Sequence, residues 1–292
     1  MALIDLRSVA KSYNSAGVPV PALKGVDLQI EEGEMLAIMG PSGSGKSTML
    51  TILGAMNPPS SGKVLVDDID VYGMSAERRA DFRHEYLGFI FQQQHLVPYL
   101  TASENVMLPL AISRHSQRAQ EEMAEAALVR VGLGDKLHRL PSQLSGGEQE
   151  RVAIARAVVN EQPIILADEP TGCLDTKTGC EVMELLRSMN ADGLTILVVT
   201  HNPDNTRFVD RTVQLLDGRI DADRRNEHPT RAGAPNPPVA SFRGCASPLP
   251  LQEPQRSPQH DGAEPGQDGD VHGQGVDVVV QQDAPQRVHP VR

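Results

Sequence analysis

Cysteine is scarce in this 292-residue chain: Cys173, Cys180 and Cys245 are the only three. So few cannot build a disulfide framework, and their spacing is not that of a thiol metal site. A reducing, cytosolic compartment is the expectation. A charged-then-apolar leader is missing from the N-terminus. No apolar run approaches the ~18 residues needed to cross a bilayer, so any membrane role is expected to come through a partner. Basic residues are also short. The formal net charge is −11, which speaks against non-specific nucleic-acid binding, because phosphate backbones demand Lys and Arg fields. No nucleic-acid partner is expected. Internal repeats and heptads are lacking too.

The chain divides by composition. Residues 221–292 hold 11 of the 22 prolines, no Met and one aromatic, Phe242. Such a segment cannot bury enough apolar surface to offset chain entropy. A disordered tail over 221–292 is therefore expected beside a folded domain over 1–220. The abrupt change after Arg225 also fits a tail foreign to the native protein; an intact mass ending near residue 225 separates the two readings.

Within 1–220 strand and helix signals alternate. Leu3–Val9, Val26–Ile30 and Lys63–Val66 alternate with period two, as half-exposed antiparallel strands do. Leu87–Phe91, Ile164–Ala167 and Thr195–Val199 are continuous apolar runs suited to central parallel strands. Thr212–Ile220, with Asp217-Gly218 inside it, reads as a hairpin. Between about 93 and 159 the pattern turns helical. Met123, Ala127, Leu128 and Val131 share one face of a helix over roughly 116–131, with Gly132 as its C-cap. A further helix starts at Ser145 and carries Val152, Ile154, Ala155 and Val158. The expected fold class is α/β, a nucleotide core interrupted by a helical insertion.

The core is organised around Gly40-Pro41-Ser42-Gly43-Ser44-Gly45-Lys46-Ser47-Thr48, which fits the phosphate-binding pattern G-x-x-x-x-G-K-[ST]. The apolar Met35–Met39 precedes it and the helix-suited Thr48–Leu53 follows, so the required strand–loop–helix context is present. Glycines let the backbone turn its N–H groups towards phosphate oxygens, and the helix N-terminus adds its positive end. Lys46 supplies charge for the β/γ-phosphates, and the Ser47 hydroxyl is a Mg²⁺ ligand type.

Two further constellations narrow the chemistry. Ile164–Glu169 is an apolar strand ending in two carboxylates. Asp168 is suited to hold Mg²⁺ and Glu169 to polarise an attacking water. Leu144–Glu148 precedes a helix. A capping box explains Ser145 and Glu148 but not the paired Gly146 and Gly147, which weaken a first helical turn. A Ser-Gly-Gly at a helix N-terminus is also a phosphate receptor. One chain then owns two phosphate-binding elements, which makes sense if the second serves a nucleotide held by another copy.

These residues resemble the ATP-binding subunits of ABC transporters. Gly40–Thr48 and Ile164–Glu169 are similar to the family's Walker A and Walker B segments, and Leu144–Glu148 to its signature motif. Tyr13 stands where an aromatic stacks on adenine. Gln92 matches the Q-loop glutamine, Leu174-Asp175 the D-loop and His201 the switch histidine. Each has a plainer reading: Tyr13 as a surface aromatic in a loop, His201 as a C-cap or core histidine, Asp175 as a helix N-cap. Their shared order carries the inference, over about residues 2–220.

The resemblance implies a P-loop NTPase of ABC type, with an antiparallel β subdomain and an inserted helical subdomain. It implies ATP and Mg²⁺, with Lys46, Gln92, Glu169 and His201 in catalysis and Ser47, Gln92 and Asp168 on the metal. Tyr13, Gly40–Thr48, Ser145, Gly146, Gly147 and Asp175 would contact nucleotide in a head-to-tail homodimer. Within the family, Val20–Val26, Gly88–Gln92, Leu100–Val106 and Ala167–Gly172 resemble the lipoprotein-release and macrolide-export group. That implies an integral-membrane permease partner, a place at the cytoplasmic face of the membrane, and a lipid, lipoprotein or drug-like substrate. A non-transport complex regulating cell-wall hydrolysis is the alternative. A soluble relative in DNA repair or translation fits less well, given one cassette, no heptads and no metal-spaced cysteines. Two positions depart from the group. Glu150 stands where Gln is usual, and its charge is expected to weaken a phosphate site nearby. Cys173 stands where Asn or Ala is common.

Overall fold

The computed structural model describes residues 2–15 and 17–226; the expected tail from residue 227 onward lies outside the described residues. Strands β1 (Ala2–Ser15) and β2 (Val18–Glu31) pair antiparallel, with Leu6 opposite Leu28 and Tyr13 opposite Val20. Both run well past the segments that alternation marks. Pro19 and Pro21 conceal the start of β2. Proline removes a ladder donor and is tolerated at a sheet edge, and β2 is an edge strand. After β3 (Met35–Met39) come β4 (Ser61–Val66) and the short β5 (Ile69–Asp70), which complete a sheet of order β2-β1-β4-β5.

The second sheet contains β3, β6 (Leu87–Ile90), β7 (Ile164–Asp168), β8 (Thr195–Val199), β9 (Arg211–Leu216) and β10 (Arg219–Arg225), in the order β10-β9-β3-β8-β7-β6. β9, β3, β8, β7 and β6 are parallel, and only β10 turns back. The final hairpin continues to Arg225, so the folded chain passes the expected boundary at 220. Charged residues dominate that last strand and mask it. Arg211 holds Asp223 by a bidentate pair at 2.6 and 2.5 Å.

Both faces of the central strands are covered. Leu36, Ile38, Ile164, Leu166, Leu197 and Val199 join one core with the antiparallel sheet, α1 (Lys46–Leu53) and Phe82 of α2 (Ala76–Tyr86). Met35, Ala37, Ile165, Ala167, Ile196 and Val198 join another with α3 (Ala102–Met107), α4 (Gln117–Arg130), α5 (Gly146–Val158) and α6 (Thr176–Ala191). That two-sided burial is why these strands are continuous apolar runs. Helices α3, α4 and α5 lie between β6 and β7 in the chain. α2 escapes the sequence pattern because only Phe82 and Tyr86 are buried along it. No helix among the described residues is long and apolar enough to cross a membrane.

Candidate nucleotide site

Four parallel neighbours, β3, β8, β7 and β6, end at one edge. Val199 lies opposite both Ile38 and Asp168, and Ile90 opposite Ala167, so the strand ends are level. The residues that follow are Gly40, His201, Glu169 and Gln92. Ligands of open α/β sheets bind at this carboxyl edge.

The loop Gly40–Thr48 turns directly into α1. Gly45, its N-cap, has φ of 106°. A Cβ there would fall 2.6 Å from the Ala22 carbonyl, so glycine is required twice over. Lys46 arches over the loop, and its Nζ donates to the carbonyls of Gly40 at 2.8 Å and Pro41 at 2.9 Å. Ser47 is exposed on the first turn of α1, while the buried Ser44 Oγ has no partner among the described residues. Tyr13 lies on β1, not in a loop. Its hydroxyl is 3.4 Å from Thr48 Oγ1 and accepts from Asn57 Nδ2 at 2.7 Å. It is both an exposed aromatic and one fixed beside the loop.

Burial raises the pKa of Asp168, and the charge of Glu169 adds to it; Lys46 acts in the opposite sense. Glu169 has φ of 50°, an uncommon conformation for a residue with a Cβ. Its N–H donates to Val199 O at 2.8 Å, and its Oε1 lies 2.8 Å from His201 Nδ1. The His201 side chain is 69% exposed, which excludes a core histidine. Asn205 supports this arrangement and carries no signal in the sequence. It is buried, and its Nδ2 donates to Thr171 Oγ1 and Thr200 Oγ1, both at 3.1 Å, tying together the turns after Glu169 and before His201. Gln92 is exposed, and its amide Nε2 lies against Gly172, 3.3 Å from where a Cβ would be.

Asp175 is the N-cap of α6. Its Oδ1 accepts from the N–H groups of Lys177 and Thr178, both at 3.1 Å, and its Oδ2 from Thr178 Oγ1 at 2.6 Å. Those bonds lower its pKa. The plainer reading of Asp175 thus describes its contacts within the chain.

Ser145 caps α5 in a full capping box. Ser145 N donates to Glu148 Oε2 at 2.8 Å, and Glu148 N to Ser145 Oγ at 3.3 Å. Lys136 pairs with the Glu148 carboxylate, and their bond raises the pKa of the lysine and lowers that of the acid. Ser145 and Gly146 are exposed, but Gly147 is buried. A Cβ on Gly147 would fall 2.3 Å from Thr178 Cγ2. The second glycine is therefore set by packing on α6, and only the first is open in front of the helix. No hydrogen bond among the described residues joins Ser145–Gly147 to the loop Gly40–Thr48.

Glu150 does not face the N-terminus of α5, contrary to the expectation of a charge near phosphate. It is 1% exposed, and its Oε2 accepts from Gln94 Nε2 at 2.9 Å. Burial pushes its pKa up to about 7, against the bond from Gln94 and the charge of Arg156. An acid whose folded pKa is raised binds its proton more tightly folded than unfolded, so its contribution to stability falls as pH rises from about 4.5 to 7 and is flat above. Glu150→Gln removes that dependence. Its stability relative to wild type should rise across this window by up to about 3 kcal/mol, then level off. Urea denaturation of both proteins between pH 5 and 8 checks it; a pH-independent difference contradicts it.

Mg²⁺ fits the donor set at the edge. No group of three or more His, Cys, Asp or Glu side chains placed to hold a metal occurs among the described residues. The Asp168 carboxylate and the Gln92 amide at the ends of the adjacent strands β7 and β6, with the Ser47 hydroxyl on the first turn of α1, supply hard oxygen donors, of the kind Mg²⁺ uses beside substrate phosphates.

Residues 23–172 match the family described as "ABC transporter". An uncharacterised ABC transporter ATP-binding protein of Thermotoga maritima is 48% identical over 223 residues, covering 76% of this chain and 95% of that protein. A macrolide export ATP-binding/permease protein, MacB, of a Shewanella species is 44% identical over 224 residues; the match covers 77% of this chain but 35% of that longer protein. Among solved structures, the ATP-binding cassette MJ0796 of Methanocaldococcus jannaschii, dimeric in a post-hydrolysis state with ADP and Pi, superposes with a TM-score of 0.70 at 44% identity, covering 76% of this chain and 98% of its own.

Proposed function

The chain belongs to the ABC transporter family as an ATP-binding and ATP-hydrolysing protein, and from that premise we propose how its residues divide the work. Lys46 and the amides of Gly40–Thr48 neutralise the β/γ-phosphates. Tyr13, beside Thr48, supports the adenine. Glu169 takes the proton of the attacking water, and His201, held to it at 2.8 Å, contacts the γ-phosphate. Ser47, Asp168 and Gln92 would hold Mg²⁺, which would supply positive charge to offset that of the phosphates during transfer. The observation that carries this reading is the Glu169–His201 pair at the strand edge that also carries the loop.

Cassettes of this family dimerise, as the ADP- and Pi-bound relative does. For this chain the proposed dimer is head to tail. Ser145 and Gly146 of one copy face the nucleotide held by the loop of the other, and Asp175 caps α6 beside that contact. ATP closes the pair because it is held from both sides, and hydrolysis releases it.

The membrane partner is an integral permease on a separate chain, with this subunit at its cytoplasmic face and a lipid, lipoprotein or drug-like molecule as cargo. The macrolide-export relative, whose name joins the two activities and whose length far exceeds the match, supports a permease as the partner; this chain would meet it as a separate subunit. The loop after Gln92 exposes Val97 and Tyr99, the latter 88% exposed, and with His95 and Leu96 it is the proposed contact. The full chain, tagged and purified from detergent-solubilised membranes, should bring down one integral membrane protein in stoichiometric amount. Quantitative recovery from the soluble fraction alone, with no such protein, contradicts the assignment.

A further inference from the structure

The loop after Gln92 is gripped from two helices. From α3, the fully buried Asn105 donates through Nδ2 to the carbonyls of Val97, Leu100 and Thr101, and its Oδ1 accepts from Val97 N at 2.7 Å. From α5, Arg156 donates to the carbonyls of His95 at 2.9 Å and Gln94 at 2.5 Å. The Gln94 side chain in turn donates to Glu150, also on α5. His95 has φ of 48°. A residue with a Cβ stays in that region when its surroundings hold it there, and these bonds supply the hold.

The grip reaches α5 at two places, Glu150 in its second turn and Arg156 in its last. The same helix presents Ser145 and Gly146 at its N-terminus. Other charges near this stretch are engaged elsewhere: Glu148 with Lys136, and Arg151 with Glu181 and the Val131 carbonyl. Arg156 is left as the charge facing Glu150. A carboxylate sealed at 1% exposure, one oxygen bonded to a loop amide and the other without a partner among the described residues, is costly to bury for packing alone.

We propose that Glu150 is a positioning residue. Through Gln94, and together with Arg156, it ties the loop bearing Gln92 to α5, so that the two move as one body. The placement of Gln92 in one nucleotide site and the presentation of Ser145-Gly146 to the other are thereby set together. This rests on the roles given above to Gln92 and Ser145.

The test is ATP turnover and ATP affinity of the full chain carrying Glu150→Ala, Gln94→Ala, both together, or Glu150→Gln, beside Gln92→Ala. Each alanine variant should lose about 10- to 100-fold in kcat, the scale of a catalytic group displaced by a remote change, with ATP affinity unchanged. The double variant should be no worse than either single one, because both break the same link. Glu150→Gln keeps an acceptor for Gln94 and should restore turnover. Wild-type turnover in Gln94→Ala, additive losses in the double variant, or ATP affinity falling in parallel with kcat would each overturn the proposal. If Glu150→Ala does not fold, Gln94→Ala and Glu150→Gln still decide. Normal turnover in Gln92→Ala would remove the role of Gln92 and this proposal with it; an inactive Gln92→Ala beside normal Glu150 and Gln94 variants would overturn this proposal alone.

Discussion

Glu169→Gln should lower ATP turnover by about 10²- to 10⁴-fold, the range of a lost general base, while ATP binding survives. The substitution is nearly isosteric. The amide oxygen can still accept from His201, so the 2.8 Å pair and the turn at Glu169 keep their geometry. What disappears is the capacity to take a proton. The groups that grip the phosphates, Lys46 and the loop amides, are untouched. Hydrolysis is the step that releases the proposed dimer, so the variant should accumulate as a dimer at saturating ATP while wild type cycles back to monomer. Light scattering with and without ATP, beside phosphate release, reads both effects. A variant that stays monomeric with normal turnover would remove Glu169 from the role.

Much of that site is legible in the sequence because its parts sit where regular structure begins or stops. An apolar run ending in Asp168-Glu169, another ending before His201 and a third ending before Gln92 are each visible alone. Parallel pairing of those runs then leaves no choice but one shared edge. Less local features do not show. Asn205 links two turns that are 29 residues apart at Thr171 and Thr200, and nothing near it in the chain marks that role. Gly147 looks like an opening for phosphate, yet Thr178 on another helix is what forbids a side chain there. Glu150 looks like a charge beside the signature glycines, but the helical turn carries it inward to Gln94. In each case the sequence supplies the residue type, and the packing of a distant element decides its function. Fold boundaries fail for a similar reason. β2 begins among prolines and β10 runs through charges, and both are strands because of the neighbour each pairs with.

Lys46→Ala should abolish ATP binding at ordinary concentrations. Removing one member of a charge-assisted contact with phosphate costs about 2–5 kcal/mol, which is about 30- to 5,000-fold in Kd. The loss should appear in affinity itself, unlike that of Glu169→Gln, because the lysine meets the β/γ charge of bound ATP before any chemistry. The fold should persist. Lys46 contributes hydrogen bonds to two loop carbonyls, Gly40 and Pro41, and none of the buried apolar side chains. The glycine-dependent turn at Gly45 is set by its own φ and by the Ala22 carbonyl, both independent of the lysine. Isothermal titration with ATP, beside thermal denaturation, separates these outcomes. Weak binding with an unchanged melting transition is expected. Unchanged affinity would mean that the loop amides alone suffice and the ammonium has another task. Because each proposed nucleotide is held by two copies, this variant should also fail to dimerise with ATP even when it carries Glu169→Gln. A dimer formed by the double variant would contradict a closure that depends on nucleotide.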